Sequence, residues 1–269
     1  MIETIHVVRH AFRSNWVVNP RTGVYSITIP TPTGLAHDPP LTAKGVEQAK
    51  ELALHLCSLD PPIDRVYSSP FYRCLQTLKP TTDRLHEQGK LHAKIRIDRG
   101  IGEFFGRAHF THPDPPTVAV LTSHFDHLDV GYGNDTIPVP RLQGESIVEL
   151  HERVNKAITR IVGELDVDPQ TPKTLLICTH AATMIALGRV LTGNMPQDPD
   201  EDDFQCYTAS LSTFVRKSSK GVVGNWGCVL NSGTGFLSGG AERGWKFNGE
   251  ESFVAFPDTP SENKDPSKL

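Results

Sequence analysis

Ile5-His6-Val7-Val8-Arg9-His10 is a short apolar run that closes on an arginine–histidine pair and opens into a polar loop carrying Arg13. Residues 4–10 read as a buried strand. A histidine flanked by arginines at the C-terminal tip of a first strand is a place to handle a phosphate. Three more pieces recur downstream in matching contexts: Arg73 in Ser68-Ser69-Pro70-Phe71-Tyr72-Arg73, Glu103 in Gly100-Ile101-Gly102-Glu103, and Thr179-His180 after Leu175-Leu176-Ile177-Cys178. Singly, each has an ordinary explanation: a hydrogen-bonded histidine, a solvated helix arginine, a turn glutamate, a histidine that starts a helix. Together, in this order, they read as a covalent phosphohistidine site.

Outward from these pieces, strands alternate with helices. Residues 19–40, rich in Pro, Thr and Gly, read as a long functional loop. Thr42 is an N-cap candidate, followed by Val46, Ala49, Leu52, Ala53 and Leu56 at helical spacing. Residues 64–68 and 94–98 read as short strands, and Pro70 suits a first helical turn with Arg73 one turn in. The span 100–144 is punctuated by Pro and Gly, without sustained periodicity. Ile147, Leu150, Val154, Ile158, Ile161 and Leu165 predict an amphipathic helix. A buried strand follows over 174–179, then a helix ending at Gly193, an acidic loop over 198–203 and strands over 207–216 and 222–230. This alternation predicts a three-layer α/β sandwich with a central, mainly parallel sheet flanked by helices. Catalytic groups at strand ends fit the tendency of such sheets to bind ligands at their carboxyl edge.

The chemistry follows from residue types. Histidine attacks phosphorus only as a neutral imidazole, with one ring nitrogen free and the other donating to an orienting acceptor. The transferring phosphoryl carries its charge on equatorial oxygens and needs fixed donors around them. Arg9, Arg13 and Arg73 supply up to three guanidiniums, and His180 adds a donor if protonated, which cationic neighbours oppose until phosphate binds. Glu103 is the candidate acid and then base, its small and apolar neighbours expected to raise its pKa. The arrangement calls for no metal and no cofactor.

Composition narrows the setting. A chain of 269 residues suits one large α/β domain, and 27 Lys+Arg against 31 Asp+Glu give a mild negative charge with no sign of direct nucleic-acid or membrane binding. The start, Met1-Ile2-Glu3-Thr4, shows no secretory signal, and no apolar run approaches the ~20 residues that span a bilayer. Five widely spaced cysteines without a CxxC pair read as reduced thiols, so the expected location is cytoplasmic and/or nuclear. Ser123-His124-Phe125-Asp126-His127-Leu128-Asp129 offers metal-ligand types but reads as a solvated lid segment. Asn134-Asp135-Thr136 matches a glycosylation sequon without a secretory context.

These residues resemble the histidine phosphatase superfamily, which includes the cofactor-dependent phosphoglycerate mutases. Arg9-His10-Ala11 matches its Arg-His-Gly signature, and Pro40-Leu41-Thr42-Ala43-Lys44-Gly45-Val46-Glu47-Gln48-Ala49 resembles its first helix entry, the matches spanning residues 4–195. The resemblance implies a phosphoglycerate mutase-like fold, His10 as nucleophile, Arg9, Arg73 and His180 as phosphate-pocket groups and Glu103 as proton donor. Arg13 matches the phosphatase-type branch rather than the mutases. One departure is Ala11, where the family's glycine tolerates unusual dihedrals; if that position has positive φ, alanine costs about 1 kcal/mol. Arg13-Ser14-Asn15-Trp16, Arg99-Gly100-Ile101-Gly102-Glu103 and the run from Phe236 to Phe247 further resemble the phosphatase domain of fungal TFIIIC tau-55 subunits. That likeness implies a TFIIIC-related protein partner as one possibility, while the point at which the chain ends leads us to expect a free-standing relative. The expected organisation is one phosphatase-like domain over 1–256, with inserted cap loops about 19–40 and 104–144, and a disordered tail over 257–269. The expected activity is metal-independent hydrolysis of phosphomonoesters. A weakly active or inactive interaction protein on the same fold is the alternative.

Overall fold

Three strand segments with almost every residue buried set the centre of the sheet. The computed structural model describes residues 1–133, 139–248 and 252–253. In order the chain forms β1 (Thr4–Arg9), β2 (Trp16–Val18), β3 (Tyr25–Ile27), α1 (Ala43–Leu56), β4 (Arg65–Ser68), α2 (Tyr72–Glu87) and β5 (Arg96–Ile97). After a 3-10 turn (Arg99–Ile101) come β6 (Arg107–Ala108), α3 (Val118–Leu121), α4 (Ile147–Asp166), β7 (Thr174–Thr179), α5 (Ala181–Thr192), β8 (Leu211–Arg216), β9 (Trp226–Gly233) and β10 (Ser252–Phe253). The main sheet has the order β5-β4-β7-β1-β8-β9. Its first four strands run parallel, and β8 and β9 complete it antiparallel.

Alternation along the central strands sends side chains into two separate cores. Ile5 and Val7 of β1, with Leu175 and Ile177 of β7, pack under α4 and α5. Val8, Leu176 and Cys178 face the other way, against the apolar residues of α1 and α2. The result is the three-layer sandwich with a mainly parallel sheet that the alternation predicted. The helix boundaries have local causes. Thr42 accepts from the Gly45 amide at 3.2 Å to start α1, and Ser146 with Glu149 makes a reciprocal capping box at the start of α4. Gly193, at φ 73°, closes α5 in the left-handed conformation that glycine adopts without strain.

Several local expectations are corrected. The loop over 19–40 contains β3, paired antiparallel with β2. Pro70 precedes α2, whose N-cap is Phe71, so Arg73 sits inside the first turn rather than one turn in. The strand expected over 94–98 shrinks to two paired residues. The strand expected from 207 begins only at Leu211, because Ala209 turns the chain at φ 55°. β9 begins at Trp226 and runs to Gly233, after a turn through Gly221 and Gly224, both at φ 72°. In the segment 123–129, Ser123, His124, Asp126 and His127 are exposed, but Phe125 and Leu128 are buried in the second core and the Ile95 amide donates to His127 O at 2.7 Å, so the segment is tied to the sheet. The acidic loop is likewise more than solvated surface, since Asp203 neutralises the fully buried Arg189 at 2.9 Å. All five cysteines are free. Among the described residues no helix is long and apolar enough to cross a membrane. The sequon and the tail expected over 257–269 lie outside the described residues.

Leu176, fully buried in β7 at the middle of the sheet, has no room to relax when truncated. Leu176→Ala is expected to lower unfolding free energy by about 2–5 kcal/mol in a denaturant titration. A change below ~1 kcal/mol would contradict the packing described.

Candidate active site

The parallel strands end on one edge, and each delivers one group there. His10 follows β1, its amide donating to Thr179 O at 3.0 Å, so the ends of β1 and β7 are tied together. His180 follows β7 as the N-cap residue of α5. Ser69 follows β4, Arg73 enters on the first turn of α2, and Glu103 follows the 3-10 turn after β5. Five of the six expected site residues thus come from strand ends or the turns just beyond them, and Arg13 lies in the loop after His10.

His10 is buried, and its Nδ1 lies 2.9 Å from the Ala11 carbonyl oxygen. A carbonyl only accepts, so Nδ1 carries the proton and the lone pair is on Nε2. Burial above all, then the charges of Arg73, His180, Arg9 and Arg13, hold the His10 pKa well below that of a free histidine. The ring is therefore neutral at ordinary pH.

Arg73 is fully buried and organises the pocket. Its Nη1 meets Asp38 Oδ1 at 3.2 Å and the His37 carbonyl at 3.3 Å, while Nη2 meets Glu103 Oε2 at 2.8 Å. Its guanidinium carbon lies 4.4 Å from the Phe71 ring centroid. His180 Nε2 lies within hydrogen-bond distance of Ser69 Oγ at 2.7 Å, and Nδ1 lies 3.1 Å from Glu103 Oε2. Burial opposes charge on His180, but Cys74 and the Glu103 carboxylate outweigh it and raise its pKa. The expectation that cationic neighbours oppose its charge fails because Cys74 and Glu103 both lie against its ring, at 3.6 and 3.1 Å. Glu103 is corrected in the opposite sense. Burial favours its neutral form, yet His180 and Arg73 outweigh burial and hold its pKa well below the usual carboxylate range.

Arg9 Nη1 donates to the carbonyls of Cys206 at 3.1 Å and Arg243 at 2.7 Å. Arg13 lies with its guanidinium carbon 3.8 Å over the Trp16 ring. Arg9, His10, Arg13, Trp16, Glu103 and Trp245 line a cleft of about 530 Å³. A second, narrow recess walled by Phe71, Phe105, His112 and Asp114 shares Glu103 with it. His10, Glu103 and His180 each place a ligand atom within 4.8 Å of the others. With Arg73 already at 2.8 Å from Glu103, that trio suits an anion better than a metal ion.

The sequence reading missed the groups that hold these residues in place. Asp38 lies in a stretch without periodicity, and only its full burial beside Arg73 marks it. Arg153 of α4 is clamped by Glu145 and donates to Gly100 O at 2.8 Å and Glu103 O at 3.3 Å. Thr179 and Thr183 donate to the Ile101 and Gly102 carbonyls at 2.6 and 2.7 Å. The hydrophobic spacing that marks α4 points to its apolar face and says nothing of Arg153. Ala11 needs a correction too. Its φ is not positive, its amide donates to Thr77 Oγ1 at 2.9 Å, and its methyl is fully buried in the second core. The backbone strain anticipated for alanine does not arise.

A family model described as the histidine phosphatase superfamily (branch 1) matches residues 6–229. The chain belongs to this superfamily. Among curated relatives, it is 30% identical to the transcription factor tau 55 kDa subunit of Saccharomyces cerevisiae over 92% of this chain and 59% of that protein. It is 32% identical to the ecdysteroid-phosphate phosphatase of Drosophila melanogaster over 64% of this chain and 22% of that one. The chain therefore spans less than two thirds of the length of either relative. In fold, this histidine phosphatase superfamily member is similar to the ecdysone phosphate phosphatase of Bombyx mori solved with tungstate, with TM-score 0.59, 20% identity and coverage of 86% of this chain and 93% of that one.

Two predictions follow from this geometry. Ala11→Gly removes a buried methyl and loosens the unfolded chain, so stability falls by about 0.5–1 kcal/mol in a denaturant titration; a stabilised variant would contradict the φ assignment. Burial is the first cause holding His6 and His37 down to about 4, and His10 is lowered as well. The unfolded chain takes up these protons near pH 6.5 and the folded chain only lower, so stability present above pH 6.5 is lost as the pH falls toward 4. The thermal midpoint should decline between about pH 6.5 and 5, and His6→Asn should flatten that decline; an unchanged slope in the variant rules this out.

Proposed function

We propose that the chain is a metal-independent phosphomonoesterase that works through a phosphohistidine at His10. The observation that carries this reading is the His10 ring itself: neutral, oriented through Nδ1 by the Ala11 carbonyl, and opening on a cleft lined by Arg9 and Arg13. Nε2 attacks phosphorus as the bond to the leaving oxygen breaks, and Glu103 protonates that oxygen. Water then attacks the phosphohistidine, giving its proton to Glu103, and inorganic phosphate leaves with His10 restored. Arg9, Arg13, Arg73 and protonated His180 hold the equatorial oxygens.

Glu103 must carry a proton in the first step, and the pocket supplies the means. Its low pKa comes from Arg73 and His180. A dianionic phosphoryl that draws those donors to its own oxygens withdraws that support and places negative charge beside the carboxylate. Both effects raise its proton affinity. The fixed acid thus becomes competent only when substrate is in place.

Membership of a phosphatase superfamily and the Drosophila relative support the activity. A second reading, a phosphatase-fold protein that acts through a TFIIIC-related partner in the nucleus, rests on the yeast subunit's similarity over 92% of this chain. The convergence of His10, Arg73, Glu103 and His180 favours the enzyme, because binding alone does not require an acid placed between two phosphate donors.

The test is turnover of para-nitrophenyl phosphate in the presence of chelator. His10→Ala is expected to abolish it, and Glu103→Gln to lower kcat by about 10²–10⁴-fold on an alkyl phosphate, whose leaving oxygen needs the proton. Full turnover in His10→Ala refutes the mechanism.

A further inference from the structure

A second positive group stands beside the phosphate donors. Arg243 lies at φ 47°, a left-handed conformation that side chains other than glycine rarely adopt. Its carbonyl takes the Arg9 Nη1 hydrogen bond at 2.7 Å, which fixes the backbone of this loop against the site. The neighbouring Glu242 anchors the loop from the other side, accepting from Lys44 at 2.5 Å and from the amide of Gln48 at 3.3 Å. The Arg243 guanidinium carbon rests 4.0 Å from the Phe12 ring centroid, and its Nη1 donates to Asn15 Oδ1 at 3.3 Å. Phe12 and Asn15 bracket Arg13 in the loop after the nucleophile. The Arg13 and Arg243 guanidiniums therefore both rest on residues of this one loop, each in contact with uncharged groups: Arg13 with Trp16 and the Ser14 carbonyl, Arg243 with Phe12 and Asn15.

Both carboxylates paired within the pocket, Asp38 and Glu103, are already engaged by Arg73, Glu103 lying also 3.1 Å from His180 Nδ1. Arg243 is exposed, and its guanidinium contacts Phe12 and Asn15. The crowding is felt within the site. Burial first, then Arg73, with Arg9 and Arg243 adding, depress Arg13 to about 9, against the pull of Glu103. A loop that holds an arginine in a disfavoured backbone conformation, next to another cation, is built to meet a further negative charge.

We infer that Arg243 forms an anion subsite beside the phosphoryl pocket, so that preferred substrates are phosphomonoesters bearing a second acidic group, a carboxylate or another phosphate, close to the scissile ester. This rests on the phosphatase reading above and narrows its substrate class. Leaving groups without such an acid would bind through the phosphoryl alone.

Equilibrium binding tests the subsite without depending on turnover. Phenylphosphonate, 3-carboxyphenylphosphonate and 1,3-phenylene bisphosphonate would be titrated calorimetrically into the full chain, as wild type, Arg243→Gly and Arg243→Lys. Glycine accepts a φ of 47° and keeps the carbonyl that Arg9 uses, so the loop survives the change. The expected result is a Kd about tenfold lower for at least one doubly acidic ligand than for phenylphosphonate in wild type. That ratio should fall to about one in Arg243→Gly and be partly restored in Arg243→Lys. Which of the two ligands shows the effect tells carboxylate from phosphate. Phenylphosphonate bound with no preference for either second acid, or a preference that persists in Arg243→Gly, overturns the subsite and leaves the phosphatase reading standing. Failure of all three ligands to bind removes the phosphoryl pocket, and the subsite with it.

Discussion

A guanidinium with no exposed surface must be neutralised within the protein, and everything at the sheet edge is arranged around that requirement at Arg73. Desolvating such a charge costs several kcal/mol even after relaxation. Asp38 and Glu103 offset it from two different loops, and Phe71 lies against its plane. The same contacts set the chemistry. Because His180 and Arg73 both approach Glu103 Oε2, the carboxylate is held ionised, while burial above all, with the charges of Arg73 and His180 adding, keeps the His10 ring neutral. On the proposed mechanism, the one buried charge helps both to keep the nucleophile neutral and to make the acid's proton depend on a bound anion. Removing either carboxylate would leave the buried Arg73 with only the other as counter-charge, so the pocket's electrostatics and the packing of α2 are not separable.

The position of Glu103 comes from the opposite layer. Arg153 on α4 uses one side of its fork on Glu145 and the other on the carbonyls that surround Glu103, while Thr179 and Thr183 hold the carbonyls just before it. β7 and α5 therefore deliver His180 and also fix the loop that carries its carboxylate partner. Tying both to one strand–helix corner keeps the distance between acid and phosphate donor short without any direct covalent constraint.

What the sequence revealed and what it hid divide along physical lines. β1 and β7 were legible because strands buried on both faces are almost uninterrupted apolar runs, and α4 because its buried face repeats at helical spacing. The six residues singled out by that reading gather at one sheet edge, five of them because strand ends in such a sheet converge there and Arg13 through the loop after β1. Partners of those residues were hidden. Asp38 meets Arg73 across 35 positions of chain, and no local pattern records such a pairing. The protonation of Glu103 was misread because its sequence neighbours suggest an apolar carboxyl, and that of His180 because only the arginines expected around it entered the reading, whereas in space Glu103, His180 and Arg73 lie together. Strain at Ala11 was expected only if its φ were positive, and its backbone does not meet that condition. In the irregular span 100–144, turns set by single residues such as His127 and Gly144, at φ 64° and 82°, carry the chain without any periodic signal.

The central claim is that the phosphoryl group resides on His10 during turnover. Rapid acid-free quenching of the protein with a phosphomonoester, followed by mass spectrometry of the peptides, tests it directly. The account predicts a phosphoryl adduct on His10 that survives alkali and is lost in acid, and that accumulates further in Glu103→Gln as water attack slows. Turnover with no adduct on His10, or with the phosphoryl group on another side chain, would contradict it.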